Sequence, residues 1–151
     1  MQWMDWATIA LAVFVGLSES RRGALTAIVD VAGIVLGLMV AETLYPEFVS
    51  EAVSPVTAYC LVFAAVMVLT VLISWQVQLA TARITGPIDM GLAAGVGVIA
   101  GLCLSYALFY VAYLAYGRNY GPFADSLLRP VVYDLNWYHA LSDRFIPGGG
   151  S

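Results

Sequence analysis

The side chain with the clearest chemical potential is Asp30, which lies inside a long apolar segment of the chain. It follows Gly23, the first residue of that segment, by seven residues, which corresponds to about 10 Å of helix. A carboxyl group in hydrocarbon must be protonated, paired or hydrogen-bonded. Thr70, Ser74 and Gln78 form an i, i+4, i+8 stripe in the next long segment. We therefore expect Asp30 to face the interior of a helix bundle and to meet Ser74 and Gln78.

Two roles suit such a buried carboxyl group. It can fix the register of neighbouring helices by hydrogen bonding, or it can form part of a proton or ion path. A path usually needs a relay of ionisable groups, and Asp30 is the single deep one in the predicted spans. The sequence therefore favours the register role over the path. Asp89 begins a later segment, where it can cap that helix and complement its dipole.

The remaining reactive side chains do not form a recognisable catalytic or metal site. Ser18 would need a histidine partner for serine catalysis, but the single histidine, His139, lies in the C-terminal tail. Asp30 and Asp89 differ in predicted depth by about 10 Å, too far apart for an aspartyl dyad. The two cysteines lack the spacing of metal ligands. We expect no enzymatic activity, no cofactor and no metal site.

The elements that must position these groups are membrane helices. The chain is 62% hydrophobic and 11% charged, whereas a typical globular domain is about 25% charged. Two charge-free runs, Ala52 to Ala82 and Met90 to Gly117, each exceed the roughly 20 residues that cross a bilayer. Gly23 to Ala41 has sufficient length, and Trp6 to Ser18 is a short fourth run. The pattern predicts four transmembrane helices.

The distribution of arginine predicts how these helices are oriented. We expect the first run to be a mature helix and not a signal peptide, because residues 1–5 carry no positive charge. Arg21 and Arg22 lie between spans one and two, and Arg83 lies between spans three and four. Short loops with arginine face the cytoplasm. The prediction is N-out and C-out, against which Arg118 is the one opposing charge.

Small residues recur at helical spacing in the second and fourth spans. Such stripes let helix backbones approach closely, which favours association where lipid removes the hydrophobic driving force. We expect the tightest helix contacts on these two faces. The stripes are Gly33, Gly37 and Ala41 in span two, and Ala93, Gly97, Gly101 and Ser105 in span four.

The predicted fold class is an all-α membrane protein with four transmembrane helices followed by short amphipathic interfacial helices. Apolar residues of the tail, from Phe123 to Tyr138, recur every three or four positions, as in helices that lie on a membrane surface. This tail is either a lid over the bundle or a docking surface. The predicted parts are a bundle at 1–117 with spans at about 3–18, 23–41, 56–82 and 89–116, an outer-face tail at 118–147, and an artificial linker at 148–151.

Several short motifs, taken in order and spacing, resemble the colicin V production protein family (CvpA) over most of residues 3 to 147. Two positions depart from the family pattern: Ala27 replaces an acidic residue and Ala100 replaces an arginine. Asp30, three positions after Ala27, is a candidate substitute for the missing acidic residue. The motifs are Trp3-Met4-Asp5-Trp6, Arg22-Gly23, Thr85-Gly86, Asp89, Gly97-Val98-Ile99-Ala100-Gly101 and Ser126-Leu127-Leu128-Arg129-Pro130.

The resemblance implies a multi-pass protein of the bacterial inner membrane, linked to toxin production or export and to envelope homeostasis, with no assigned reaction. In some members the four-span unit anchors an outer protease domain, which agrees with the C-out prediction. The leading hypothesis is a non-enzymatic module that assembles with itself or with envelope partners through the small-residue faces and the tail. The alternative is a small channel or carrier subunit with a polar path around Asp30. A third is a lipid-binding protein with a groove under the tail.

Charge composition limits the partners. The chain has no lysine, and its six arginines face ten acidic residues, for a net charge of −4. A surface that holds a nucleic-acid backbone needs clustered basic residues. We therefore expect membrane lipid and membrane proteins as partners, and no nucleic acid.

Overall fold

The computed structural model describes residues 2–81 and 86–133, and within them the chain is helical. Arg83 and the tail beyond residue 133, including Leu135, Tyr138 and His139, lie outside the described residues. The helices are α1 (Trp3–Ser20), α2 (Ala24–Phe48), α3 (Pro55–Thr81), α4 (Pro87–Tyr116), α5 (Gly121–Ala124) and α6 (Arg129–Val132).

Three of these helices are long and apolar enough to cross a membrane. They are Ala24–Phe48, Pro55–Ala80 and Pro87–Tyr116. The first helix is shorter, with 18 residues, or about 27 Å at 1.5 Å per residue. Polar residues at both of its ends lower its mean hydropathy. The chain is therefore a multi-pass membrane protein by helix length and composition, with α1 as an additional helix packed beside the three.

The second helix extends beyond the span predicted for it. The sequence prediction ended span two at Ala41, where acidic residues begin, but α2 continues to Phe48 and contains Pro46. Pro46 lies in the last turn, where it cannot donate a hydrogen bond to the carbonyl four residues earlier, and the helix ends two residues later. Helical conformation therefore continues past the apolar stretch that a bilayer selects.

The four long helices pack in the order α1, α4, α2, α3. The most extensive contacts join α1 to α4 and α2 to α3, and α2 also packs against α4. Helices α1 and α2 contact each other little, although the turn between them is short. Helices α1 and α3 are therefore the outer members of this order, and each packs mainly against one neighbour.

The small-residue stripes lie at the closest of these helix contacts. A Cβ added to Gly33 would overlap the Thr70 side chain of α3. A Cβ on Gly97 would lie 2.9 Å from the Cα of Gly16 in α1, and one on Gly101 would meet the backbone of Ala12. Other stripe members, namely Ala41, Ala93 and Ser105, are buried, and Gly37 faces Phe63 and Val66. These faces are occupied within the chain.

Aromatic side chains pack together where α3 begins and α4 ends, and they also pack the described part of the tail against α4. The ring centroids of Tyr59 in α3 and Tyr110 in α4 are 4.8 Å apart. Phe123 in α5 is fully buried, and its ring lies 5.9 Å from that of Phe109. The tail is therefore fixed against α4, although its described helices, α5 and α6, have only four residues each.

Candidate functional site

An ionic cluster centred on Arg22 joins three segments of the bundle. The Arg22 Nη1 donates to Glu19 Oε1 at 2.9 Å and to Asp30 Oδ2 at 2.6 Å. Its Nη2 donates to Ser74 Oγ at 3.3 Å, and its Nε donates to Gln78 Oε1 at 3.5 Å. One guanidinium thus connects the end of α1 with α2 and α3.

The local sequence places Arg22 where it can reach these partners. Helix α1 ends at Ser20, and Arg21 still has helical backbone angles. Gly23 then adopts a φ of 96°, a left-handed conformation that glycine reaches without the steric cost of a Cβ. The chain reverses there into α2, so that Arg22 lies between the end of one helix and the start of the next. Arg21 is exposed, because the turn directs the two arginines to different surroundings.

The cluster is buried and holds two carboxyl groups against one guanidinium. Glu19 is 4% exposed and Asp30 is 8% exposed, whereas the Arg22 side chain keeps 27% of its surface. Two carboxylates face one guanidinium, so that with all three groups ionised the cluster has a net charge of −1. The second carboxylate oxygen of Glu19, Oε2, is buried without a hydrogen-bond partner. A buried charged oxygen of this kind is costly unless a donor or cation meets it.

A cleft of about 180 Å³ opens beside the cluster. Glu19, Arg22 and Asp30 line it at one end. The rest of the lining is mainly apolar and comes from all four long helices: Phe14, Val15 and Ser18 of α1, Ile34 of α2, Met67 and Val71 of α3, and Ala100 and Leu104 of α4. Phe14 and Val71 are largely exposed, so the cleft reaches the outer surface of the bundle. The site combines an ionic end with an apolar wall.

The structure brings together most of the predicted polar patch. The residue that joins its members is Arg22, for which the sequence predicted only a role in membrane orientation. Asp30, Ser74 and Gln78 meet at the guanidinium of Arg22 and not by direct contact. Thr70 is buried, and its hydroxyl donates to the carbonyl of Val66 in its own helix at 3.0 Å. It therefore lies along α3 outside the ionic cluster.

Asp89 lies in the first turn of α4, where the sequence predicts it, but its carboxylate caps a different helix. The N-cap of α4 is Gly86, and no side chain caps that helix. The Asp89 Oδ1 instead accepts a hydrogen bond from the backbone N–H of Ala24 at 3.1 Å. Because α2 and α4 pack together, the carboxylate reaches the start of α2, where it satisfies a backbone donor that the helix leaves free.

A second buried carboxylate lies at the other end of α1. Asp5 is fully buried. Its Oδ1 accepts from the Ser126 hydroxyl at 2.6 Å and from the Leu128 N–H at 3.1 Å, and its Oδ2 accepts from the Gln2 N–H at 2.7 Å. Asp5 therefore joins the start of the chain to the tail. This contact connects two of the short motifs on which the family resemblance rests.

Sequence reasoning assigned no site role to Glu19 or Asp5, although a signal for both was present. Asp5, Thr8, Ala12, Gly16 and Glu19 recur every three or four residues, and the structure buries all five on one face of α1. In the pattern of apolar runs, the two acidic residues mark only the boundaries of a span. Their common face with two small residues indicates instead that they point toward the neighbouring helix.

Comparison with known proteins identifies the family. A family model described as colicin V production protein matches residues 4–136, which is most of the chain. Searches of curated proteins and of solved structures each gave no match. The matched range contains the Arg22 cluster, the cleft and the link between Asp5 and the tail. By this match the chain belongs to the colicin V production protein family.

Proposed function

We propose that the protein is a small, non-enzymatic carrier or channel subunit of the bacterial inner membrane, with its polar path at the Arg22 cluster. The observation that carries this proposal is the position of that cluster at one end of a cleft lined by all four long helices. Ionisable groups inside a membrane are costly and commonly mark the path of an ion or a polar substrate. In this proposal α1 is a fourth span, both termini lie outside, and the activity contributes to toxin production or export and to envelope homeostasis.

The hydrogen bonds of the Arg22 cluster support a path for an ion or polar substrate better than a role limited to fixing the register of the helices. A residue that only fixes helix register would have its hydrogen bonds satisfied within the bundle. Here Glu19 Oε2 has no partner, and the Arg22 bonds to Ser74 and Gln78 are long, at 3.3 and 3.5 Å. Such bonds are easily exchanged for bonds to a passing ligand.

Flux through proteoliposomes tests the proposal. Vesicles that contain the protein should take up protons, potassium or methylammonium faster than protein-free vesicles, and Asp30→Asn should lower that rate about tenfold. Asp125→Asn, which removes the same charge from an exposed position of the tail, should leave the rate unchanged. No uptake of any of the three ions, or uptake that Asp30→Asn does not change, would overturn the proposal.

Assembly through an outer face is the second candidate function. The stripes expected to drive assembly are occupied inside the chain, but Gly91 and Gly95 of α4 have no atom within 4 Å of an added Cβ. Ile88, Leu92 and Ile99 of the same part of α4 are exposed. Two such faces could approach closely, since glycines four residues apart remove the side chains that keep helices separate.

The oligomeric state in nanodiscs tests this second function. Crosslinking should give a dimer that Gly95→Leu weakens, because the new side chain keeps the two backbones apart. Ala65→Leu adds similar bulk to an exposed position of α3 and should have no effect. A monomer under all conditions, without a crosslinked membrane partner, would contradict assembly.

A further inference from the structure

We propose that the cleft binds the primary ammonium head of a zwitterionic membrane phospholipid. Glu19 receives the ammonium group, the guanidinium of Arg22 faces the phosphate, and the apolar wall holds the beginning of the lipid chains. This inference rests on the site of the proposed function and names its ligand class.

The charges at the end of the cleft match such a head group. Glu19 and Asp30 place two carboxyl groups against the one guanidinium of Arg22, and Glu19 Oε2 is buried without a hydrogen-bond donor. An ammonium group at this end of the cleft would bring N–H donors and a positive charge to the two carboxyl groups. The Arg22 guanidinium also lines the cleft, retains 27% of its side-chain surface, and has only long bonds from Nη2 and Nε. It can therefore meet a phosphate beside the ammonium.

The size and lining of the cleft suit the rest of the ligand. Its volume of about 180 Å³ is far above the roughly 10–15 Å³ that a single water requires. Ile34, Met67 and Leu104 provide an apolar wall next to the charged end. Because Phe14 and Val71 at the lining are exposed, lipid chains can leave the cleft sideways into the bilayer. A charged head with apolar chains fits this distribution of polarity.

Other ligand classes fit less well. A purely anionic head would bring a further acidic group beside the two carboxyl groups of the cluster and would offer them no N–H donor. A trimethylated ammonium has no N–H to donate to Glu19. Within the described residues, no group of three or more His, Cys, Asp or Glu side chains is placed to hold a metal ion, which disfavours a divalent cation. The primary ammonium is the class that supplies both N–H donors and a positive charge to the carboxyl groups of the cluster.

Native mass spectrometry of the full chain released from nanodiscs tests the proposal. The nanodiscs contain equal amounts of phosphatidylethanolamine, phosphatidylcholine and phosphatidylglycerol with matched acyl chains. We expect one phosphatidylethanolamine to remain bound, at least about fivefold more often than either other lipid. Equal retention of the three lipids, preference for phosphatidylcholine or phosphatidylglycerol, or the absence of retained lipid would each overturn the proposal.

Two variants locate the binding in the cleft. Glu19→Gln should reduce phosphatidylethanolamine retention to the level of phosphatidylcholine, whereas Glu47→Gln, at an exposed position, should not. Val71→Trp places a large side chain at the cleft and replaces no residue of the ionic cluster. It should lower phosphatidylethanolamine retention about fivefold, even if Glu19→Gln does not fold. Helical content is checked by circular dichroism for each variant. Unchanged retention in a folded Glu19→Gln or in Val71→Trp would contradict the assignment.

The outcomes separate this inference from the proposed function. A preference for phosphatidylethanolamine without ion flux would leave a fixed lipid site and overturn the carrier or channel function. Flux that depends on Asp30 without a lipid preference would support the function and overturn the lipid assignment.

Discussion

The two ends of α1 each bury a carboxylate, but they satisfy it differently. Asp5 accepts three hydrogen bonds that use both of its oxygens. Glu19 pairs one oxygen with Arg22, and its other oxygen has no partner. Buried polar groups with complete hydrogen bonding specify a structure, whereas an incomplete set indicates room for a ligand or a proton. The comparison separates a structural carboxylate from a functional candidate within one helix of 18 residues.

Removal of the central guanidinium should have the largest effect on stability. Arg22→Ala leaves Glu19 and Asp30 buried next to each other without a counter-ion, which should lower the free energy of unfolding by about 3 kcal/mol. Thermal unfolding in detergent, followed by circular dichroism, measures this loss. Arg21→Ala at the exposed neighbouring position should cost less than about 0.5 kcal/mol. Equal effects of the two variants would show that the cluster does not stabilise the bundle.

Loss of the structural carboxylate should come next. Asp5→Ala removes three accepted hydrogen bonds and leaves the Ser126 hydroxyl and the Leu128 N–H without an acceptor, so we expect a loss of about 2 kcal/mol. The described tail should also exchange its amide hydrogens faster, which hydrogen-exchange mass spectrometry detects. Asp125→Ala, at an exposed position of the same tail, is the matched control. Unchanged exchange of the tail in Asp5→Ala would contradict the anchoring role.

Replacement of the serine that bonds to Asp5 should lower stability more than replacement of the serine that bonds to Arg22. Ser126 donates to Asp5 at 2.6 Å, whereas Ser74 accepts from Arg22 at 3.3 Å. Since short hydrogen bonds to a charged group contribute more, Ser126→Ala should cost about 1.5 kcal/mol and Ser74→Ala about 0.5 kcal/mol. Chemical unfolding of both variants side by side gives the difference. A larger loss for Ser74→Ala would reverse the comparison.

Neutralisation of the incompletely bonded carboxylate should have the smallest effect. Glu19→Gln removes a buried charge that lacks a full set of partners and leaves the Arg22–Asp30 pair in place, so stability should change by less than about 0.5 kcal/mol or increase. Asp5→Asn should be destabilising by about 1 kcal/mol, because its oxygens are all engaged. The two amide variants, unfolded under identical conditions, therefore form a direct test. Similar losses in both would mean that Glu19 is as structural as Asp5.

The helices were predictable from the sequence because charge-free runs and helix length are local properties. The predicted start of span four at 89 and the helix start at Pro87 differ by two residues, and both give Tyr116 as the end. The end of α2 was not predictable in this way, because Glu42 and Glu47 end an apolar run without ending a helix. Apolar runs mark the segments that can lie in a bilayer, whereas backbone hydrogen bonding determines where each helix ends.

The site was predictable in part. Asp30, Ser74 and Gln78 share a level of the bundle, which their depth along adjacent helices indicated. Arg22 lay in the predicted turn, and its role depends on a side chain that folds back into the bundle, which a sequence does not encode locally. Asp5 required knowledge of the tail, since its partner Ser126 is separated from it by 121 positions.

That separation also sets the order in which the parts of the protein can form. Among the four long helices of the described residues, α1 leaves the ribosome before the others, but it packs mainly against α4, which leaves after them. At about 5–20 residues synthesised per second, roughly 5–20 s pass between the emergence of α1 and that of its main partner. During this time α2 and α3 can already pair. We expect α1 to enter the assembled bundle late, with the Asp5–Ser126 bond as one of the last contacts of biogenesis.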